Sequence, residues 1–264
     1  MTSSVSMTRP SAAPSATAEI SEAEWAVRRD LAACYRLVAM NGWDDLVANH
    51  LTARVPGEPD AFLINPFGML FEEVTASSLI KIGPDGEILS PTEYGVNRTG
   101  FVIHSAVHQA RGADAECVIH LHTRDGVAVS MTETGLLPLN QTAMTICEDI
   151  AFHEYEGVAL DLAERERLAA DLGDKHLMLL RNHGILAIGR SVGEAFVRTY
   201  FLQWACNVQV KALSTGQPLH HADPAVVKGV AGHMTPEGSA SFAQNLAWPA
   251  LLRKVERVAP DYKL

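Results

Sequence analysis

The chain has 264 residues, 47% of them hydrophobic, with 31 acidic side chains against 21 basic ones and a net charge of −10. That length predicts one large domain or one domain with an appendage, and without a basic cluster neither nucleic acid nor an anionic membrane is an expected partner. Cys34, Cys117, Cys147 and Cys206 stand far apart with no Cys-x-x-Cys, which argues against a disulfide framework or a zinc ribbon and suits a reducing, cytoplasmic setting; no stretch is apolar for long enough to span a bilayer.

In chain order, residues 1–19 are rich in Ser, Thr, Ala and Pro and lack the apolar core of a signal peptide. The expected organisation is a disordered tail over 1–20, a main domain over 21–222 and a helical extension over 223–264. Ser21 and Glu24 form a capping box that opens a helix. Trp25, Leu31, Cys34, Tyr35 and Val38 recur along it at helical spacing, and it stops near Asn41-Gly42. LVANHLTARV (46–55) leads into a strand, Ala61–Asn65 is the next, and Pro66-Phe67-Gly68 turns the chain. LIKIGPDGEIL reads as a hairpin with Asp85-Gly86 at its tip. Gly100–Arg111 reads as a helix with His104 and His108 one turn apart. The Glu of a His-Glu-x-x-His zinc motif is absent, so packing or support of a nearby site is the favoured role for this pair.

Residues 116–125, ECVIHLHTRD, carry the strongest signal. On a strand, Val118, His120 and His122 share one face, while Cys117, Ile119 and Leu121 face a core. Two such imidazoles can converge on one ion at about 2.0–2.1 Å from each nitrogen. A His-x-His pair alone is a weak motif, but this one ends an apolar strand, where parallel sheets place their ligands. His183 ends another in LMLLRNHGILAIG. Three neutral imidazoles leave an ion with open positions, as a catalytic site requires. A helix (125–133) and a strand near Leu136–Asn140 follow. A charged helix (Asp161–Leu172) comes next, then strands His176–Leu180 and Ile185–Ile188 around the Arg181–Gly184 turn. Ser191 and Glu194 cap a long helix ending near Gly216. Phe196, Tyr200, Phe201, Trp204 and Val208 spread over more than one stripe of it, which suggests either burial on two sides, one of them a subunit contact, or a single central core helix. Two further helical pieces are expected in 223–264, separated near Pro249. There is no internal repeat, and strands interleaved with helices argue for a layered α/β domain.

The run VNRTGFVIHSAVHQARGADAECVIHLHT, followed by LLRNHGILAIG, resembles the class II aldolase/adducin family, and EEVTASSLIKI and DLVANHLTARVPG fit its adducin-like branch. The resemblance covers about residues 25–235. It implies a three-layer α/β/α fold around a mixed, largely antiparallel sheet. It implies tetramers with active sites at subunit boundaries, and a divalent metal, zinc most often and manganese, cobalt or iron otherwise. The family's metal-binding histidines match His120, His122 and His183.

The departures matter too. The Glu that sugar-phosphate aldolases carry four residues before the helix histidine falls at Gly100. Their Gly-Asn-x-Ser phosphate turn matches Asn49-His50-Leu51-Thr52, with His50 in place of the amide, so a phosphorylated ketose is not expected. The candidate substrate contacts are His50, Thr52, Asn65 and His104. Tyr155, in HEYEG, falls where the family places a tyrosine proton donor, and Glu73 is a weaker acid/base candidate. These residues imply a metal-dependent carbon–carbon lyase that stabilises an enolate or enediolate of a small unphosphorylated hydroxy-carbonyl or hydroxy-carboxylate. Aldol cleavage and decarboxylation both remain open. The alternatives are a non-catalytic, adducin-like binding module and an iron-dependent oxygenase. A scaffold need not keep three convergent histidines, which favours an enzyme.

Overall fold

A computed structural model describes residues 20–157, 162–231 and 236–264. The tail expected at 1–20 lies outside these residues except for Ile20. Helix α1 (Glu22–Met40) begins where the Ser21 hydroxyl accepts the Glu24 N–H at 3.1 Å. The Glu24 carboxylate turns to Arg28 and Lys81 instead of completing the box. Asn41 caps the helix and Gly42, at φ +64°, ends it as the sequence predicts.

The strands are β1 (His50–Val55), β2 (Glu58–Ile64), β3 (Ile80–Ile82), β4 (Cys117–Leu121), β5 (Ile150–His153), β6 (Leu177–Leu180) and β7 (Gly184–Gly189). They form one sheet in the order β3-β2-β1-β4-β7-β6-β5. Every pairing is antiparallel except β5 with β6. The sheet is therefore mixed and largely antiparallel, as expected. β4, however, has antiparallel neighbours on both sides, so the parallel-sheet rule for ligand placement does not apply to it.

Side-chain alternation divides the sheet into two faces. Ile119, Leu121, Leu177, Leu179, Ile185 and Ala187 pack with α1 and with α6 (Val192–Ser214). Val118, Met178, Leu180, Leu186 and Ile188 face the other way. They pack against Ile103 and Val107 of α2 (Arg98–Arg111) and against Leu168 and Leu172 of α5 (Leu162–Leu172). Two helical layers thus cover one sheet, an α/β/α sandwich.

Several local expectations are corrected. Leu136–Asn140 is not a strand: Pro138 has no N–H to offer a ladder, and the Leu137 N–H is taken by the Gln209 side chain of α6 at 2.7 Å. Helix α4 (Gln141–Ile146) and strand β5 follow it, and the sequence reading had neither. Helix α3 is Arg124–Ser130, slightly shorter than expected. The 80–89 hairpin is reduced to β3 and a single bridge, Ile82 to Ile88. Pro249 does not separate two helices: Pro236–Phe242 (α8) runs through a π-helical turn, Ala243–Ala247, into Trp248–Val258 (α9), with Pro249 just after the π turn. α7 is Pro224–Ala231. Trp248, Val255 and Tyr262 join the main core, and Arg36 pairs with Asp261 at 2.8 Å.

Candidate metal centre

His120 lies near the end of β4, directly opposite His50 on β1 and Leu186 on β7. His122 sits just past the strand, one residue before Thr123, whose hydroxyl caps α3. His183 occupies the tight turn between β6 and β7. Asn182, just before it, adopts φ +57°, a left-handed conformation that Asn tolerates better than most residues. A Cβ on Gly184 would stand 2.4 Å from the Leu121 carbonyl oxygen. Only glycine lets β7 start this close to the end of β4, and that approach brings His183 to His122.

The three rings converge. His122 Nε2 is 3.1 Å from His120 Nε2 and 3.0 Å from His183 Nε2. The ligand atoms of all three lie within 4.8 Å of one another. Outer partners fix the tautomers of two of them. His120 Nδ1 is 3.0 Å from the Ile185 carbonyl oxygen, which can only accept, so Nδ1 carries the proton. His122 Nδ1 is 3.1 Å from the Asp45 carboxylate, and the same argument holds. In neutral rings both Nε2 atoms are then bare lone pairs, facing each other at 3.1 Å with no proton between them. Such a pair repels unless a cation lies between. Around a tetrahedral ion the nitrogens would stand roughly 3.3 Å apart, close to what is seen. Burial pushes His183 down to about 4, helped by the nearby His122, and holds His120 well below its usual value. The residues present fit a divalent ion bound by three nitrogens.

Beside the triad is a pocket of about 190 Å³, lined also by His50, Asn97, Gly100, Ile103, Tyr155 and Gly157. Tyr155 is half exposed, its ring 6.1 Å from that of His183. His50 is buried, and neither of its ring nitrogens has a hydrogen-bond partner among the described residues. A Cβ on Gly100 would meet the His50 Cε1 and Nε2 atoms at 2.4 Å. The His50 imidazole therefore fills the room that a side chain at position 100 would need.

Other candidates are placed elsewhere. His104 is fully buried behind His50, ring centroids 4.3 Å apart. Thr52 is also buried, its hydroxyl between His104 and His108. Asn65 is tied to the Tyr35 hydroxyl at 2.9 Å. Glu73 accepts the Leu70 N–H at 2.7 Å in a 3-10 turn. Neither Asn65 nor Glu73 lines the pocket. Asp45 and Asn97 escaped the sequence reading. Asp45 sits in a Trp-Asp-Asp run with nothing in its spacing to mark it. Asn97 caps α2 by accepting the Gly100 N–H at 3.2 Å, an ordinary capping role at the pocket wall.

Residues 29–210 match the family model for the class II aldolase and adducin N-terminal domain. The chain belongs to this family. A Pseudomonas aeruginosa protein, assigned provisionally by its name to the class 2 aldolases, is 48% identical over 250 residues, 93% of this chain and 95% of its own. Mouse alpha-adducin is 46% identical over 196 residues, which are 73% of this chain and 26% of the adducin. Among solved structures, an aldolase II superfamily protein from Pseudomonas syringae has a TM-score of 0.86 at 48% identity, covering 93% of this chain and 98% of that one. The L-fuculose 1-phosphate aldolase of Glaciozyma antarctica reaches 0.80 at 27% identity, covering 95% and 96%. The aldolase-type α/β fold is thereby established.

Proposed function

We propose that this class II aldolase family member is a metal-dependent carbon–carbon lyase, with His120, His122 and His183 holding one divalent ion, zinc in the first instance and manganese or iron otherwise. The observation that carries the reading is the convergence of the three ring nitrogens, His122 Nε2 standing 3.1 Å from His120 Nε2 and 3.0 Å from His183 Nε2, an arrangement that suits a shared cation. The ion, when bound, supplies Lewis acidity to a substrate carbonyl or carboxylate. Asp45 and the Ile185 carbonyl hold the imidazoles in the metal-binding tautomer. Ile103 gives the pocket an apolar wall, and Tyr155, which also lines it, would deliver a proton to carbon through its hydroxyl. The pocket has room for a small hydroxy-carbonyl or hydroxy-carboxylate. Among the described residues, its lining carries no Lys or Arg to meet a phosphate, which supports an unphosphorylated substrate. Retro-aldol cleavage and decarboxylation both fit this chemistry.

The adducin-like alternative rests on the 46% identity with alpha-adducin. A binding module gains nothing from three imidazole nitrogens converging on one point, so we favour the enzyme. We further propose a cytoplasmic homotetramer. Support comes from the aromatic side of α6, where Tyr200 and Trp204 stack at 6.4 Å and remain exposed.

The test is elemental analysis of protein purified without a nickel column or chelator, wild type beside His122→Ala. About one zinc, manganese or iron per chain, lost in the variant, is expected. No metal in either protein, even after soaking with each ion, would overturn the reading and give the binding module precedence.

A further inference from the structure

Strand β5 ends in a buried histidine, His153, that the three-histidine cluster does not use. Its Nδ1 lies 2.7 Å from an oxygen of the Asp171 carboxylate, and an oxygen of the Glu164 carboxylate stands 3.8 Å from Nε2 on the other side of the ring. Glu164 and Asp171 are seven residues apart in α5, two turns along one helix face. An ionised carboxylate only accepts, so Nδ1 carries a proton. Asp171 and His153 thus form an acid–imidazole pair of the kind that readies Nε2 to take up a proton. That Nε2 is buried and has no hydrogen-bond partner among the described residues. At 3.8 Å Glu164 is out of reach whether the ring is neutral or charged. Nearby charges are committed elsewhere, Glu156 to Arg167 at 2.7 Å and Arg181 to the Thr132 carbonyl, and Glu154 is exposed. Between them lies a hollow of about 10 Å³, the room that one water needs. A water about 2.8 Å from each atom would bridge His153 Nε2 and Glu164. Ile103, Tyr155, Gly157 and His183 line both this hollow and the candidate substrate pocket, so the two adjoin.

Aldol cleavage of a hydroxy-ketone needs a base for the hydroxyl proton, and among the described residues the pocket lining holds no carboxylate to take it. We propose that His153, held by Asp171 and acting through a water bound in this hollow, is that base, which assigns the reaction to retro-aldol cleavage. The water gives a proton to Nε2 as it receives the proton of the substrate hydroxyl. The electron pair left on the hydroxyl oxygen closes a new carbonyl. The carbon–carbon bond breaks, and its pair goes to the carbon beside the existing carbonyl. Tyr155 protonates that carbon. The imidazolium, between Asp171 and Glu164, then returns its proton through the same water to the Tyr155 oxygen. One proton has moved from oxygen to carbon, and His153, Tyr155 and the water are restored. The base role rests on the lyase reading, whereas the Asp171–His153 pair and its water are independent of it.

Two measurements test this. In metal-free protein, a high-resolution crystal structure should show a water within about 3.2 Å of both His153 Nε2 and the Glu164 carboxylate. Imidazole nitrogen shifts of the same 15N-labelled protein at pH 8 should report His153 as the Nδ1–H tautomer. In zinc-loaded protein in heavy water, the C–H protons of hydroxyacetone should exchange for deuterium, the reverse of protonation by Tyr155. His153→Gln should slow that exchange about 100-fold, with zinc content and KM unchanged. Asp171→Asn alters a half-exposed side chain and should keep the fold. It should slow exchange at least about tenfold and move the acid limb of the rate–pH profile to lower pH, because the imidazole loses a neighbouring negative charge. A purely structural role would leave that limb in place. An empty hollow or an Nε2–H tautomer would overturn the proposal. So would variants with wild-type exchange and an unmoved profile, and the lyase reading would then still stand. Zinc-loaded wild type that exchanges nothing, with the water and tautomer as expected, would defeat the lyase reading and the base role with it.

Discussion

The Asp45 carboxylate stands 3.1 Å from Nδ1 of His122, reaching from the loop after α1 to the end of β4. It is the only charged partner that a triad ring has among the described residues, and it fixes which nitrogen would face a bound ion. Asp45→Ala should lower metal affinity about 10–100-fold, the usual effect of losing such an outer partner. Asp45→Asn should lose less, since its amide oxygen still accepts. Competition against a chromogenic chelator would read both. The thermal midpoint of the metal-free protein should barely move, because Asp45 is half exposed.

Gly184 is the second support. An added Cβ would press on the Leu121 carbonyl, a backbone atom paired into the sheet, and cannot be absorbed by a side-chain rotation. Gly184→Ala should therefore cost about 1–3 kcal/mol in denaturant unfolding. It should also weaken metal binding, because His122 and His183 are carried apart together. Stability lost with metal affinity intact would mean that the strands yield elsewhere.

The buried histidines predict acid lability. His108 in the folded protein has its pKa depressed to about 3, against an ordinary value of 6.5. Above 6.5 neither state binds the proton and the group is silent. Below it the unfolded chain takes up a proton that the folded chain refuses, so stability falls as pH drops from 6.5 toward 3. Between pH 7 and 5 this amounts to about 2 kcal/mol for one such group, and His50 and His104 add in the same direction. Urea unfolding in the presence of chelator should show the fall, and His108→Gln should make it shallower whatever that change does to stability at pH 7.

Much of the candidate site was legible because its histidines follow simple rules. His120 comes from strand alternation, and His183 from a turn squeezed between two apolar runs. The sheet's architecture came through the family resemblance, whereas short elements such as β5 did not: IAFH is four residues long and one of them, Phe152, is exposed, too little pattern to read. Asp45 was invisible since loop acids are common and only the fold brings this one to His122. The roles of Thr52 and His104 also depend on pairing. Thr52 lies opposite Val118, on the face covered by α2, and the helix delivers His104 and His108 to either side of its hydroxyl. Spacing showed that the two histidines share a helix face, and nothing in it showed that a threonine fifty residues away would join them.

Tyr35 ties β1 to β2 beneath the site. Its hydroxyl accepts the N–H groups of Leu51 at 2.9 Å and Asn65 at 3.2 Å. Its own proton goes to the Leu51 carbonyl at 2.5 Å or the Asn65 side chain at 2.9 Å. Tyr35→Phe keeps the ring and its edge contact with Phe71 but leaves two buried N–H groups without an acceptor. The cost should be about 2–4 kcal/mol, read by chemical unfolding. Metal content should be unchanged, as no ligand moves.

Gly100→Ala separates metal binding from substrate recognition. The new methyl would occupy the space of His50 Cε1 and Nε2, and the imidazole, wedged between Gly100 and His104, has to leave it. The ring is the end of a side chain, so the fold should survive with a modest loss of stability. His120, His122 and His183 do not depend on it, and metal content should stay at the wild-type level. Binding of a small hydroxy-ketone should fall at least as far as in His50→Ala. The double variant should be no worse than either single one, because both remove the same imidazole from the same place. Additive losses in that cycle would place the two residues in separate interactions with the substrate.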